Sequence, residues 1–255
     1  MDYVLGDSYR LFVNSSIGCR SLCNYCYLPL KGVELGVDAL VVLDSDVLID
    51  RVLSTGCYQP GEFGTIISIG CFSECWDIRN RAITIEVMKF FLEKGNFVQF
   101  ATKRYVEARE LNSLLNSIQR KGQLTIFISC STISNWKVFE PGTTEPRKRL
   151  SAFEKLKQVG IPSYLYIKPV IQDVTIRDLD IFKSYAKICS GVVVGTMFSR
   201  TEQDGGAIPI PIDGLSVMEV SDEEELKLQF QQDFNQVFSN STQAIEHWRG
   251  AGKNG

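Results

Sequence analysis

Gly18-Cys-Arg-Ser-Leu-Cys-Asn-Tyr-Cys-Tyr-Leu28 holds three cysteines, Cys19, Cys23 and Cys26, in the spacing Cys-x3-Cys-x2-Cys. Three thiolates on one short loop can each take one iron of a 4Fe–4S cluster. Four cysteines close such a cluster, whereas three leave one iron open to a small molecule. Zinc instead calls for four N/S ligands, commonly in two paired half-sites. No second Cys-x2-Cys pair follows, and the one histidine, His247, lies far away in the chain. Cys23 and Cys26 alone form a Cys-x2-Cys redox pair, a reading that leaves Cys19 idle. A disulfide framework is out of place in a chain of this size without a signal-peptide pattern.

The chain has 255 residues, 44% of them hydrophobic, a length and composition that fit one large domain with a full core. Its formal net charge of −3 gives no general positive field to attract nucleic acid, so any such binding would need a local patch. Met1–Asp7 has neither a basic start nor an apolar run, and no apolar stretch reaches membrane-spanning length. With eight cysteines, the expectation is a cytoplasmic protein with no membrane contact, its thiols free or metal-bound.

Working outward from the loop, strand-like and helix-like segments alternate. Leu11–Val13, Thr65–Ile69, Phe97–Ala101, Leu124–Ile128, Tyr164–Ile167 and Val192–Val194 read as strands. Val47–Leu53, Ala82–Lys94, Tyr105–Ile118, Arg147–Val159, Arg177–Lys187 and Glu223–Val237 read as helices, two of them stopped by Gly95 and Gly160. Six β/α units imply parallel strands with right-handed crossovers. The apolar strand runs fit strands covered on both faces. The fold class is therefore α/β, a partial (β/α)6 barrel with outer helices, over residues 1–200. Residues 201–255 form a C-terminal extension of the same domain. Thr201–Asp213, rich in Gly and Pro, reads as a mobile loop, and Arg249–Gly255 as a disordered tail. Ligands in such folds sit beyond the carboxyl ends of strands. Gly70–Asp77, Ala101–Arg104, Ser129–Asn135 and Lys168–Gln172 should therefore ring the cysteine loop.

The cysteine loop, with an aromatic before its last Cys, resembles that of the radical S-adenosylmethionine (SAM) superfamily. Within it, the chain is similar to the spore photoproduct lyase family over roughly residues 10 to 195, a span fitting the element lengths of such units. Tyr25 and Tyr27 flank the last cluster cysteine as in that family. Gly70-Cys-Phe-Ser-Glu74 resembles its Cys-Thr-Ser-Asp segment, and Phe100-Ala-Thr-Lys103 its Phe-Val-Thr-Lys stretch. Phe139-Glu-Pro-Gly-Thr143, with Arg149-Leu150 downstream, and Lys168-Pro-Val-Ile171 resemble two further signatures.

The resemblance implies a 4Fe–4S cluster on Cys19, Cys23 and Cys26 and SAM as second cofactor. It implies reductive cleavage of SAM to a 5′-deoxyadenosyl radical, which abstracts hydrogen from a substrate. A one-electron reductant such as a flavodoxin or ferredoxin is the implied partner. Cys71 matches the family's hydrogen-atom donor, and Tyr25 and Tyr27 its hydrogen relay; Cys75 is the neighbour that would serve if the register slipped. For SAM itself, Tyr25 suits the adenine wall, Lys103 the methionine carboxylate, and Ser73 and Ser129 the amine or ribose. Free cysteine is more often a small buried hydrophobe, the reading given to Cys57, Cys130 and Cys189. A lysine is more often solvated, the competing reading for Lys103. Glu140 and Arg149 read either as a structural ion pair across the mouth or as substrate contacts; Lys31, Arg79 and Arg104 read as surface charges.

Two features depart from the family. Only 18 residues precede Cys19, where the family has a sizeable segment. The family's basic, aromatic hairpin that probes the DNA lesion has no counterpart in composition here. Residues 201 to 226 contain no Lys or Arg, and Asp222-Glu-Glu-Glu225 is acidic, so this region would repel a duplex. Ile208–Ile212 offers apolar contact without aromatic stacking. A different class of function stays open at this stage: an iron–sulfur sensor or electron carrier that does not cleave SAM.

Overall fold

The computed structural model describes residues 2–37, 40–195, 207–209, 216–218 and 221–251. In chain order the strands are β1 (Val4–Gly6), β2 (Arg10–Val13), β3 (Ile66–Ile69), β4 (Val98–Thr102), β5 (Leu124–Ser129), β6 (Ser163–Ile167), β7 (Gly191–Val194), β8 (Ala207–Pro209), β9 (Ser216–Met218) and β10 (Val237–Phe238). The helices are α1 (Ser45–Leu53), α2 (Arg81–Glu93), α3 (Asn112–Leu115), α4 (Trp136–Phe139), α5 (Pro146–Leu150), α6 (Ala152–Gln158), α7 (Leu179–Ala186), α8 (Glu223–Gln231) and α9 (Ser241–Ala251).

Six parallel strands stand side by side in sequence order, from β2 to β7, as the alternating pattern predicts. β1 extends the sheet antiparallel to β2, and β10 joins β7 in parallel, giving eight strands in an open sheet. Neither edge strand is anticipated by the sequence reading. β1 has three residues and β10 two, too short for a periodic signal.

Each strand sorts its residues by face. Leu11, Val13, Ile67, Ile69, Val98, Phe100, Ile126, Ile128, Leu165 and Ile167 pack outward with the helices in the main core. Arg10, Phe12, Ser68, Gln99, Phe127 and Tyr166 lie on the other, concave face and line a cavity. The strands are thus covered on both faces, but by unlike partners. At the amino ends of the strands α9 closes the concave side. Its Ala244 meets Phe127, Tyr164 and Val193, while Ile245 meets Ile66 and Phe97. Trp248 Nε1 donates to the Tyr164 hydroxyl at 2.9 Å.

Several expected elements come out differently. Tyr105–Ile118 is not one helix: a capped 3-10 turn over Ala108–Leu111 leads into the four residues of α3. Asn112, Ser113 and Asn116 are weak helix formers that compete for their own backbone. Arg147–Val159 breaks at Ser151 into α5 and α6. The helix expected over Glu223–Val237 ends at Gln231, ahead of Asp233 and Asn235, rather than reaching Val237. Within Thr201–Asp213, Ala207–Pro209 is not loop but pairs antiparallel with β9; the rest of that span lies outside the described residues. Arg249–Ala251 belongs to α9, so the expected tail begins no earlier than Gly252 and also lies outside them.

Candidate active site

The cysteine loop leaves β2 and is held by backbone bonds to two neighbouring loops. Gly18 N–H donates to the Phe72 carbonyl at 2.9 Å and Gly36 N–H to the Cys19 carbonyl at 2.8 Å. On the far side, Leu22 N–H donates to Pro141 and Asn24 N–H to Phe139, at 2.9 and 3.1 Å. Gly142, at φ 77°, lets the chain pass close: a Cβ there would stand 3.3 Å from Ser21 Cα. The Phe139–Thr143 motif is therefore a cradle for the cysteine loop.

Cys19, Cys23 and Cys26 all line one cavity of about 370 Å³ at the carboxyl ends of the strands. Ser21 N–H points to Cys19 Sγ at 3.4 Å. Burial, with Glu74 as the next contributor, pushes the Cys19 thiol up. Burial likewise takes Cys23 to about 12, against the opposing pull of Lys103. Metal coordination deprotonates such thiols outright. Among the described residues no group of three or more His, Cys, Asp or Glu side chains gathers as around a single metal ion. A cubane makes a different demand, since each thiolate goes to its own iron and the sulfurs stand around a cluster-sized gap. Three cysteines of one short loop opening on a shared cavity fit that demand.

Tyr25 is buried between Cys23 and Ile171. Its hydroxyl donates to Glu140 and accepts from Ser131 Oγ at 3.2 Å. Glu140 pairs with Arg149, and both are 0% exposed. The pair is structural and stands behind the site, which settles the choice left open by the sequence. Burial alone would raise the Glu140 carboxyl, but Arg149, Lys103 and the Tyr25 hydroxyl outweigh it and hold it low. Lys103 is half-buried, not solvated, with Nζ 5.5 Å from the centre of the Tyr25 ring. Burial opposes its charge, yet Cys23 and Glu140 more than compensate and its pKa is raised.

Tyr27 donates its hydroxyl to the Cys71 backbone carbonyl. The turn that carries Cys71 hangs on Asn14, whose Oδ1 accepts from Cys71 N–H and Phe72 N–H at 2.8 and 2.7 Å. Asn14 Nδ2 lies 3.5 Å from Cys71 Sγ. Cys71 lines the cavity, whereas its neighbour Cys75 is 0% exposed in the main core.

Ser73 and Ser129 line the same cavity, and the buried Oγ of each has no hydrogen-bond partner. Buried hydroxyls are normally satisfied, so two orphans in one cavity mark where a polar ligand belongs. Arg104 is not the surface charge expected: it bonds Asp77, the Gly142 carbonyl and Ser21 Oγ at 3.2, 2.6 and 3.1 Å. Arg20 joins the same Asp77 at 3.1 Å.

The sequence reading overlooked the floor of the cavity. There Ser68 Oγ accepts from Arg10 Nε and from Gln99 Nε2, each at 2.7 Å. The available signal was a polar residue at the alternate, inward positions of otherwise apolar strands.

No family model matches the chain, and no curated protein matches it. Solved structures do. A cysteine-to-serine mutant of spore photoproduct lyase aligns at TM-score 0.62 and 18% identity, covering 88% of this chain and 74% of that one. A spore photoproduct lyase mutant with bound AdoMet and dinucleoside spore photoproduct aligns at 0.60 and 17%, covering 89% and 75%. Streptococcus suis SuiB bound to S-adenosylmethionine aligns at 0.62 and 13%, covering 93% of this chain and 51% of that one. At these identities the likeness is one of fold: the chain has the partial-barrel fold of the radical SAM enzymes.

Proposed function

We propose that this chain is a radical SAM enzyme of the lyase-like type. The observation that carries the reading is a convergence on one cavity: three cysteines of one loop, the cation Lys103 and the unpartnered hydroxyls of Ser73 and Ser129. A 4Fe–4S cluster with SAM would supply one electron and a 5′-deoxyadenosyl radical that abstracts hydrogen from a substrate. The chain's own work is to hold and orient. Cys19, Cys23 and Cys26 would bind three irons. Lys103 would meet the methionine carboxylate, with Ser73 and Ser129 bonding the amine or ribose and Tyr25 giving its ring to the adenine.

Cys71 would give its S–H hydrogen atom to the product radical, and Tyr27 would return one from its O–H. Tyr27 would then regain a hydrogen from the methyl carbon of 5′-deoxyadenosine, closing the cycle without net oxidation. The hydroxyl of Tyr25, sunk against Glu140, suits the wall more than the relay. An acidic stretch without Lys or Arg over residues 201 to 226 favours a substrate smaller than a nucleic-acid duplex. A small one-electron carrier protein would serve as reductant. Among the described residues no helix is long and apolar enough to cross a membrane.

The test is anaerobic reconstitution with iron and sulfide, then addition of SAM and dithionite. The reading expects methionine and 5′-deoxyadenosine, both lost in Cys19→Ala, Cys23→Ala and Cys26→Ala. A cluster that forms without SAM cleavage would instead mark a sensor or electron carrier.

A further inference from the structure

Arg10 projects from β2 into the floor of the cavity, where α9 closes the barrel. Its guanidinium lies 4.2 Å from the centre of the Phe12 ring, donates to Ser68 Oγ at 2.7 Å and reaches Ser241 Oγ at 3.3 Å. Among the described residues no carboxylate pairs with it. Arg10 is half-buried; a cation partly withdrawn from water without a counter-charge carries a desolvation cost, which a ligand's anion would offset. Beside it, Gln99 is 2% exposed, and its Oε1 has no partner once Nε2 has gone to Ser68. Whichever way that amide is turned, one of its ends is left unsatisfied. Neither Arg10 nor Gln99 has a task in holding the cluster or SAM. Both share the cavity with Cys71, the proposed hydrogen donor.

Resting on the radical SAM reading, we infer that this floor is the substrate's anion subsite, and that the substrate is a small organic oxyanion, its carboxylate or phosphate held by Arg10 while an adjacent N–H or O–H donates to Gln99. The guanidinium fork suits either oxyanion. Seated there, a substrate would sit at the closed end of the cavity that Cys71 also lines.

Arg10 also ties β2 to β3 and to the start of α9, so a purely structural latch is the competing account. The experiment uses the reconstituted, SAM-loaded protein and calorimetric titration with three probes: inorganic phosphate, N-acetylglycine and the neutral N-acetylglycinamide. The subsite expects one or both anions to bind at least about tenfold more tightly than the amide, the strength of one charge-assisted hydrogen bond. A stronger response to phosphate would point to phosphate esters, and one to N-acetylglycine to carboxylates. Arg10→Gln should erase the preference. Gln99→Leu, which leaves the latch in place, should weaken N-acetylglycine about fivefold. Equal binding of anions and amide, a preference that survives in Arg10→Gln, or undiminished N-acetylglycine binding in Gln99→Leu would overturn the subsite. SAM cleavage measured on the same preparation separates the two claims. Cleavage without anion preference removes the subsite alone, whereas anion preference without cleavage removes the radical reading alone.

Discussion

The hydroxyl of Tyr27 donates to the backbone carbonyl of Cys71, joining the cysteine loop to the turn after β3. Two residues 44 apart in the chain are thereby fixed at the wall of one cavity. Both carry X–H bonds weak enough to pass hydrogen atoms, and burial holds the Tyr27 phenol neutral by raising its pKa well above the usual value.

That link predicts a labelling result. In deuterium oxide, exchangeable hydrogens on Cys71 Sγ and the Tyr27 hydroxyl become deuterium. Reductive SAM turnover without substrate leaves the 5′-deoxyadenosyl radical to draw on these neighbouring X–D bonds, and should then place solvent deuterium in the 5′-methyl of 5′-deoxyadenosine. Tyr27→Phe and Cys71→Ala should each lower the labelled fraction, the pair together by about tenfold, a loss of about 1.4 kcal/mol in the competing step. Mass spectrometry of the isolated nucleoside reads it. Equal label in wild type and double variant would remove the relay.

Glu140 and Arg149 make a stability prediction. Removing one member of a fully buried ion pair leaves an uncompensated charge, so Glu140→Gln should cost about 3–5 kcal/mol by chemical denaturation. The pH dependence follows from the lowered Glu140 carboxyl. Its contribution is fully present above the ordinary carboxylate value and fades as pH falls through the lower folded value. The gap between wild type and Glu140→Gln should therefore be widest near neutrality and narrow in acid. A gap independent of pH would refute the pairing.

In the proposed function Lys103, which lines the cavity, meets the methionine carboxylate of SAM. Lys103→Met should weaken SAM binding to the reconstituted protein by about ten- to a hundredfold, as for a lost charge-assisted hydrogen bond. Equilibrium dialysis with labelled SAM, alongside iron and sulfide content, measures this. Unchanged affinity at equal iron content would assign Lys103 to structure.

Asn14 accepts two backbone N–H groups of the Cys71 turn through one oxygen. Asn14→Ala orphans both, at about 1–3 kcal/mol for each buried donor. The melting temperature should fall, and alkylation of Cys71, followed by peptide mass spectrometry, should speed up. Wild-type alkylation kinetics would show that the turn does not depend on Asn14.

Much of the frame was legible in advance. The six parallel strands stand in the order that the apolar runs implied, because burial on both faces leaves a continuous hydrophobic signal. The proposed site residues came from motifs after strand ends, and Cys71, Ser73, Lys103 and Ser129 do meet Cys19, Cys23 and Cys26 at one cavity. What stayed hidden was long-range. Nothing local in Phe139–Thr143 says that its carbonyls receive the cysteine loop, since those bonds span more than a hundred residues. Arg10, Ser68 and Gln99 were masked by apolar neighbours on the opposite face of their strands. α9 was missed because its apolar side, Ala244 and Ile245, is narrow and its partners lie on distant strands.

The most direct test of the central claim is the electron paramagnetic resonance spectrum of the anaerobically reconstituted, dithionite-reduced protein with and without SAM. Three-cysteine ligation with an open iron predicts a reduced 4Fe–4S signal that changes shape when SAM is added. A colourless protein, or a cluster signal indifferent to SAM, would contradict the account.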